Sequence, residues 1–179
     1  MRVHRMEAEM ATNLQRKSIR LKGYDYSQRG AYFITICTKA KRCLFWKNGV
    51  GARIARPHFE LSDIGNVVDI AINNIHEKYP AILVDKYVIM PNHIHIILMT
   101  QNEAGKVTNS KMLTASPAIS IVINQMKGFV TKKIGESIWQ KLFYDHIIRI
   151  EAEYREIWEY VDTNPAKWQD DCYYAKGTG

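Results

Sequence analysis

Residues 81–100, AILVDKYVIMPNHIHIILMT, decide the fold because two strand-forming runs follow each other with almost nothing between them. β-Branched and other large apolar side chains dominate both runs, and only Pro91 and Asn92 separate them. So short a connection predicts an antiparallel hairpin. Because side chains on a strand alternate between the two faces of a sheet, His93 and His95 are expected to point to the same side.

The segments around this hairpin predict further strands and helices. Apolar residues recur at helical spacing after a Ser62 cap, and Pro80 and Pro165 are expected to end two of the helices. The expected strands are residues 31–39 and 146–150, and the expected helices are residues 61–79, 119–134 and 151–164. This order is that of a ferredoxin-like, split βαβ antiparallel sheet of the α+β class. We expect helices on one face, an open opposite face, and one extra C-terminal helix.

Length, charge and cysteine content limit the class of protein. The 179 residues suit a single domain, which we place at residues 23–179 behind a basic N-terminal arm at residues 1–22. A net charge of +7 favours a polyanionic partner such as nucleic acid. Three cysteines without C-x-x-C spacing, no signal-like apolar segment and no long apolar run predict a cytoplasmic protein without a membrane partner.

The histidine pair is a candidate metal site. Its imidazoles are expected close enough to share one ion, although two ligands do not complete a site and ordinary polar residues on a half-solvated face remain the alternative. Tyr160 and Asn164 lie on one face of the final helix, four residues apart. Tyr160 is expected at the edge of a buried stripe that comprises Tyr154, Ile157, Trp158 and Val161. The alternative for Tyr160 is an aromatic residue at the boundary of the core, and the alternative for Asn164 is an ordinary residue at the C-terminus of the helix.

Four segments of the chain resemble one family of DNA enzymes. PNHIHIILM resembles the HUH motif (His, bulky apolar, His) of the single-tyrosine transposases. YDYSQRGAYFITICTK, WQKLFYDHIIR and YVDTNPAKW are similar to segments of their REP-associated tyrosine transposase branch. The resemblance covers most of the chain, from about Tyr24 to Trp168.

The resemblance implies a function and a set of site residues. His93 and His95 would bind Mg²⁺ or Mn²⁺, Asn164 would be a further metal ligand, and Tyr160 would be the nucleophile. Relatives often have Gln at the position of Asn164. The implied reaction cuts and rejoins single-stranded or hairpin DNA through a 5′-phosphotyrosine, and the protein would act as a monomer or a homodimer.

Basic residues are the candidates for contacts with DNA phosphates. They are Arg20, Lys22, Arg29, Lys127, Lys132, Lys133 and Arg149, of which the last lies in a segment that matches the family. Two alternatives stay open: a non-catalytic protein that binds hairpin DNA or RNA on the same fold, and a nickase of the replication or conjugation type.

Overall fold

A four-stranded antiparallel sheet is the centre of the computed structural model, which describes residues 30–47, 60–100 and 119–174. The elements are β1 (Gly30–Cys37), α1 (Asp63–Lys78), β2 (Ile82–Ile89), β3 (His93–Thr100), α2 (Ile119–Ile134), β4 (Tyr144–Ile148) and α3 (Glu151–Thr163). The strand order is β2-β3-β1-β4, and every neighbouring pair is antiparallel. The ferredoxin-like prediction is confirmed, and the hairpin at Pro91 and Asn92 joins β2 to β3.

Helix α1 begins and packs as its sequence predicts. The Ser62 Oγ accepts a hydrogen bond from the Gly65 backbone N–H at 3.0 Å, which satisfies one of the free donors of the first turn. Gly65 also allows a close approach, because a Cβ at this position would lie 2.3 Å from the backbone oxygen of Phe45. The N-terminus of α1 is thereby packed directly against the segment that follows β1.

The main hydrophobic core lies between the sheet and the helices α1 and α2. Alternate residues of the central strands point into it, with Tyr32, Ile34 and Ile36 from β1 and Ile94, Ile96 and Leu98 from β3. They meet buried side chains of the two helices, among them Val68, Ile72, Ile123 and Val130. By strand alternation the histidines of β3 must therefore point to the opposite face.

Helix α3 covers that opposite face, so the expectation of an open face is wrong. Ile157 and Val161 of α3 form a second core with Phe33, Ile97 and Ile148 of the sheet. Burying these apolar side chains supplies the driving force for docking.

A β-bulge in β2 adds polar contacts to α3. The register of β2 shifts between Val84 and Lys86, which aims the intervening Asp85 at the helix. The Tyr154 hydroxyl donates to Asp85 Oδ2 at 2.6 Å, and the Lys86 ammonium contacts Asp162 Oδ1 at 2.5 Å. Lys86 also lies 4.0 Å from the ring centroid of Trp158. Helix α3 is thus fixed to its own sheet by core packing, a hydrogen bond and an ion pair.

Two local expectations need correction, and a third is confirmed. Strand β4 begins at Tyr144, two residues before the expected start, because Thr35 of β1 pairs with it. Trp158 is 38% exposed and stacks on Lys86 instead of entering the core stripe. Helix α3 ends at Thr163, directly before Asn164 and Pro165 as predicted, and a 3₁₀ segment, Asn164–Asp170, follows it. Proline is tolerated there since the first turn of a helix needs no N–H from it.

The expected basic arm at residues 1–22 lies outside the described residues, as do residues 101–118, which join β3 to α2. Among the helices of the described segments, none has the length and apolar character needed to cross a membrane.

Candidate active site

Strand β3 brings His93 and His95 together beneath α3. Their Nε2 atoms lie 3.0 Å apart, and both side chains are fully buried. The register of the sheet places Thr35 of β1 beside His95, and Cys37 beside His93. The expectation that the two imidazoles share one face is confirmed, whereas a half-solvated face is not observed.

Asn92 orients the ring of His93. The Asn92 amide nitrogen donates to the carbonyl oxygens of Tyr173, at 2.8 Å, and Lys41, at 3.2 Å. Since both partners only accept, the amide oxygen is the atom that faces His93 Nδ1, at 2.8 Å. The Nδ1 atom of His93 therefore carries the proton, and its Nε2 presents a lone pair to the site.

Thr35 is the corresponding partner of His95, with its hydroxyl 2.8 Å from Nδ1. With a lone pair on His93 Nε2, the 3.0 Å contact between the rings assigns the proton of His95 to Nε2, so Thr35 donates to Nδ1. A metal ion would require the other tautomer, with Nδ1–H donating to Thr35. A hydroxyl suits both arrangements because it both donates and accepts.

Burial keeps both imidazoles neutral. It lowers the pKa of His95 to about 3. The pKa of His93 lies well below its ordinary value, first because of burial and then because a proton on His93 would be repelled by a protonated His95 and by Lys41. Neutral imidazole is the form that binds metal ions.

Asp171 adds a carboxylate to the histidine pair. Its Oδ2 lies 3.8 Å from His93 Nε2, and the ligand atoms of His93, His95 and Asp171 all fall within 4.8 Å of one another. All three residues are buried. Two imidazole nitrogens and a carboxylate form a donor set that fits a divalent cation, so this group could hold a metal ion. Sequence reasoning missed Asp171, since WQDDCYY carries no metal-binding spacing.

Tyr160 of α3 points at the same site. Its hydroxyl oxygen lies 3.4 Å from His95 Nε2, and its ring contacts Phe33 edge-on at a centroid distance of 6.2 Å. The residue is partly exposed and packs at the margin of the second core. This is the edge position that the helical periodicity predicts.

Asn164 is buried at the C-terminus of α3. Its backbone N–H donates to the carbonyl oxygen of Tyr160, and its side-chain Nδ2 makes no hydrogen bond to any residue that the structure describes. A buried amide without a hydrogen-bond partner is costly, which makes this position a reasonable one for a ligand or a water. Its role as a metal ligand stays a prediction.

Aromatic rings of the C-terminal segment cover the histidine pair. The ring of Tyr173 lies 4.5 Å from that of His93, and the ring of Trp168 lies 5.9 Å from it, as centroid distances. The Tyr173 backbone N–H donates to Asp171 Oδ1 at 2.6 Å. The residues after α3 therefore close the site as well as contributing Asp171 to it.

The basic candidates that the structure describes do not form one group around this site. Lys127 is 9% exposed, and its ammonium donates to the backbone oxygens of Gln140 and Lys141, which is not the solvated cation that a phosphate contact needs. Lys132 and Lys133 are exposed at the end of α2, behind the sheet. Their role as DNA contacts stays a prediction.

The remaining basic candidates lie elsewhere. Arg149 is exposed between β4 and α3, and its backbone N–H donates to Glu153. The same Glu153 contacts His146 at 2.9 Å, which suits a structural role for this histidine. Arg20, Lys22 and Arg29 lie outside the described residues.

Comparison with known proteins agrees with this fold. The structure of the REP-associated tyrosine transposase bound to a REP hairpin matches with a TM-score of 0.55 and 20% identity, over 85% of this chain and 74% of that chain. A provisionally assigned transposase of Deinococcus radiodurans R1 matches with a TM-score of 0.44 and 11% identity, over 82% and 97% of the two chains, and is too distant to support an argument. No protein-family model matches the chain. The fold defined here is that of the REP-associated tyrosine transposase.

A relative in sequence identifies the family. An uncharacterized protein of Haemophilus influenzae (strain Rd) is 39% identical over 173 residues, which are 89% of this chain and 93% of the relative. The chain belongs to the same protein family as this Haemophilus protein.

Proposed function

We propose that the protein is a DNA transposase that cuts and rejoins single-stranded or hairpin DNA through Tyr160, with a divalent metal ion held by His93 and His95. One observation carries the proposal: the Tyr160 hydroxyl lies 3.4 Å from His95 Nε2, which in turn lies 3.0 Å from His93 Nε2. A candidate nucleophile and a candidate metal site from distant parts of the chain thus meet. The shared fold with the REP-associated tyrosine transposase supports the same class of reaction.

The chemistry expected of Tyr160 is an exchange of phosphate esters. Its hydroxyl oxygen would bond to the phosphorus of a DNA phosphodiester, and the 3′-oxygen would leave. The phenol proton is balanced by the proton that the new 3′-hydroxyl gains, so the exchange needs no external energy source. The strand downstream of the cut stays on Tyr160 as a 5′-phosphotyrosine, and attack by a 3′-hydroxyl would rejoin the DNA.

The remaining residues would position these groups. Phe33 supports the Tyr160 ring, while Asn92 and Thr35 orient the two imidazoles. When bound, Mg²⁺ or Mn²⁺ would act as a Lewis acid that offsets charge on the phosphoryl group. Because the histidines are fully buried beneath Tyr173, the segment after α3 must shift before a phosphate can reach them.

The charge of the protein and the exposure of unpaired bases favour a single-stranded or hairpin DNA substrate. A net charge of +7 favours binding to a phosphate backbone. Stacked duplex DNA hides its bases, whereas single strands and hairpin loops offer unpaired ones. The transposase with the same fold is bound to a REP hairpin, which makes such a hairpin the first substrate to test.

The test is a covalent adduct on denaturing gels. Single-stranded DNA with a REP-like hairpin and a fluorophore at its 3′ end is incubated with the protein and Mg²⁺ or Mn²⁺. The label should migrate with the protein, whereas a 5′ label should leave on a shorter strand. EDTA and Tyr160→Phe should each abolish the adduct. Tyr154→Phe is the matched control, since this hydroxyl lies on the same helix but contacts Asp85 instead of the histidines, and its adduct should persist.

Three outcomes would contradict parts of the proposal. An adduct that survives Tyr160→Phe would exclude this residue as the nucleophile. Full activity of His93→Ala in EDTA would exclude the metal ion. Hairpin binding without any adduct in either metal would favour a non-catalytic binding protein on the same fold.

A further inference from the structure

We propose that the turn at residues 39–42, which follows β1, is a phosphate-binding site that holds the DNA strand beside the histidine pair. Lys39, Lys41 and Arg42 give this basic turn three positive charges within four residues. The inference rests on the proposed function for its ligand, single-stranded DNA, and it adds the place where the strand is held.

The basic turn lies at the end of the sheet that carries His93. Cys37, the last residue of β1, pairs with His93, and the turn begins two residues later. The Lys41 ammonium lies 5.2 Å from the ring centroid of Tyr173, which in turn lies 4.5 Å from that of His93. Asn92 joins the two features, since its amide nitrogen donates to the Lys41 carbonyl oxygen at 3.2 Å while its amide oxygen faces His93 Nδ1. A phosphate bound by the turn would therefore lie next to the candidate metal site.

Backbone strain in this turn draws attention to Lys41. Ala40 and Lys41 both have a φ of 53°, in the left-handed region that disfavours a side chain and suits glycine. Hydrogen bonds hold them there: the Lys41 N–H donates to the Thr38 carbonyl oxygen at 3.2 Å, and the Thr38 hydroxyl donates to the Arg42 carbonyl oxygen at 2.8 Å. A lysine at such a position costs stability relative to glycine, which suits a functional role for its charge.

The charges of the basic turn are available to a ligand. Lys39 and Arg42 are exposed, Lys41 is half-buried, and none of the three forms an ion pair with a carboxylate of the described residues. The ammonium of Lys127, by contrast, donates to two backbone oxygens. Three cations on a hydrogen-bonded turn suit a polyanion, and a DNA strand is the polyanion that the proposed function supplies. Such contacts position a strand without reading its sequence.

Binding of hairpin DNA by the full chain in EDTA tests the basic turn, since phosphate contacts need no metal ion. Fluorescence anisotropy at several salt concentrations should show that Lys39→Gln with Arg42→Gln weakens binding at least about tenfold. The slope of log Kd against log salt should fall by about 1.4, or about 0.7 for each lost contact with a single strand. Lys39→Arg with Arg42→Lys keeps both charges and should keep the slope. The matched control is Lys78→Gln with Arg155→Gln, an exposed lysine and arginine elsewhere, which should change the affinity less than about twofold.

Lys41→Gly separates the charge of the turn from its fold. Glycine relieves the strain at a φ of 53° and retains the carbonyl oxygen that Asn92 contacts, so thermal melts should show an unchanged or higher Tm. The same variant should weaken hairpin binding about fivefold or more and lower the salt slope by about 0.7. A lower Tm would refute the argument from strain.

DNA with one uncharged methylphosphonate linkage locates the phosphate that the turn binds. As the neutral linkage is moved along the single-stranded flank of the hairpin, binding to the unaltered protein should weaken at one or two positions. At those positions Lys41→Gly should cause little further loss, because the variant and the neutral linkage remove the same contact. These linkages should neighbour the one that Tyr160 cuts in the adduct assay.

The outcomes separate this inference from the proposed function. An unchanged salt slope in the turn variants, or additive losses at every linkage, would overturn the phosphate site. Coupling confined to linkages of the hairpin stem would overturn its place beside the cut. Coupling in the flank without any DNA adduct would support the phosphate site while refuting the proposed reaction.

Discussion

Replacing Thr35 by valine should weaken metal binding through His95, although the substitution leaves every proposed metal ligand in place. Thr35 is 2% exposed, and its hydroxyl is 2.8 Å from His95 Nδ1. When Nε2 binds an ion, Nδ1 must carry the proton, and valine cannot accept it. The shape of the side chain is nearly preserved, so the loss of the hydroxyl is the main change.

Two magnitudes follow from this loss. A buried imidazole nitrogen without a partner costs about 1–3 kcal/mol, which should appear in the free energy of unfolding without metal. The ion polarises the Nδ1–H bond, so the missing acceptor costs more in the bound state. Loss of such an orienting partner typically lowers metal affinity about 10- to 100-fold, which corresponds to about 1.4–2.7 kcal/mol.

Thr100→Val is the matched control. Thr100 is 3% exposed at the far end of β3, where its hydroxyl accepts from the Gly30 N–H and donates to the Gly30 carbonyl. Urea unfolding should show a similar loss of stability for both variants, whereas Mn²⁺ calorimetry should show weaker binding only for Thr35→Val. Wild-type affinity in Thr35→Val, or an equal loss in Thr100→Val, would refute the orienting role of Thr35.

Two further predictions concern the docking of the helices. Tyr154→Phe should lower the free energy of unfolding by about 0.5–1.5 kcal/mol at pH 7, because it removes the hydrogen bond to Asp85. The bond to Asp85 is the first cause that raises the Tyr154 pKa to about 12, so this difference should be complete below pH 10 and should vanish as the pH rises through 12; a difference independent of alkaline pH would contradict it. Gly65→Ala should cost about 1–3 kcal/mol, because its Cβ would lie 2.3 Å from the Phe45 carbonyl oxygen. Gly128→Ala in α2, where the added Cβ would have no neighbour within 4 Å among the described residues outside its own turn of helix, should instead stabilise by up to about 1 kcal/mol. Thermal melts in which both variants shift in the same direction would refute the packing account.

The sequence by itself determined the elements and half of the candidate site. Strand alternation in HIHIILMT places His93 and His95 on one face, and the helical period of residues 151–164 places Tyr160 at the edge of its buried stripe. Both are local regularities, which is why a short stretch of sequence suffices to predict them. The same regularity misplaced Trp158, because the period does not reveal that Lys86 of β2 lies beneath its ring.

Only the tertiary structure decided what surrounds the histidines. Thr35 faces His95 because of the register between β1 and β3, and Asn92 meets His93 through a network that includes Lys41 and Tyr173. Asp171 reaches the site because the chain continues past Pro165 as a 3₁₀ segment and turns back over β3. None of these contacts leaves a periodic signal, since each depends on the path of a connection and on pairing between residues far apart in the chain.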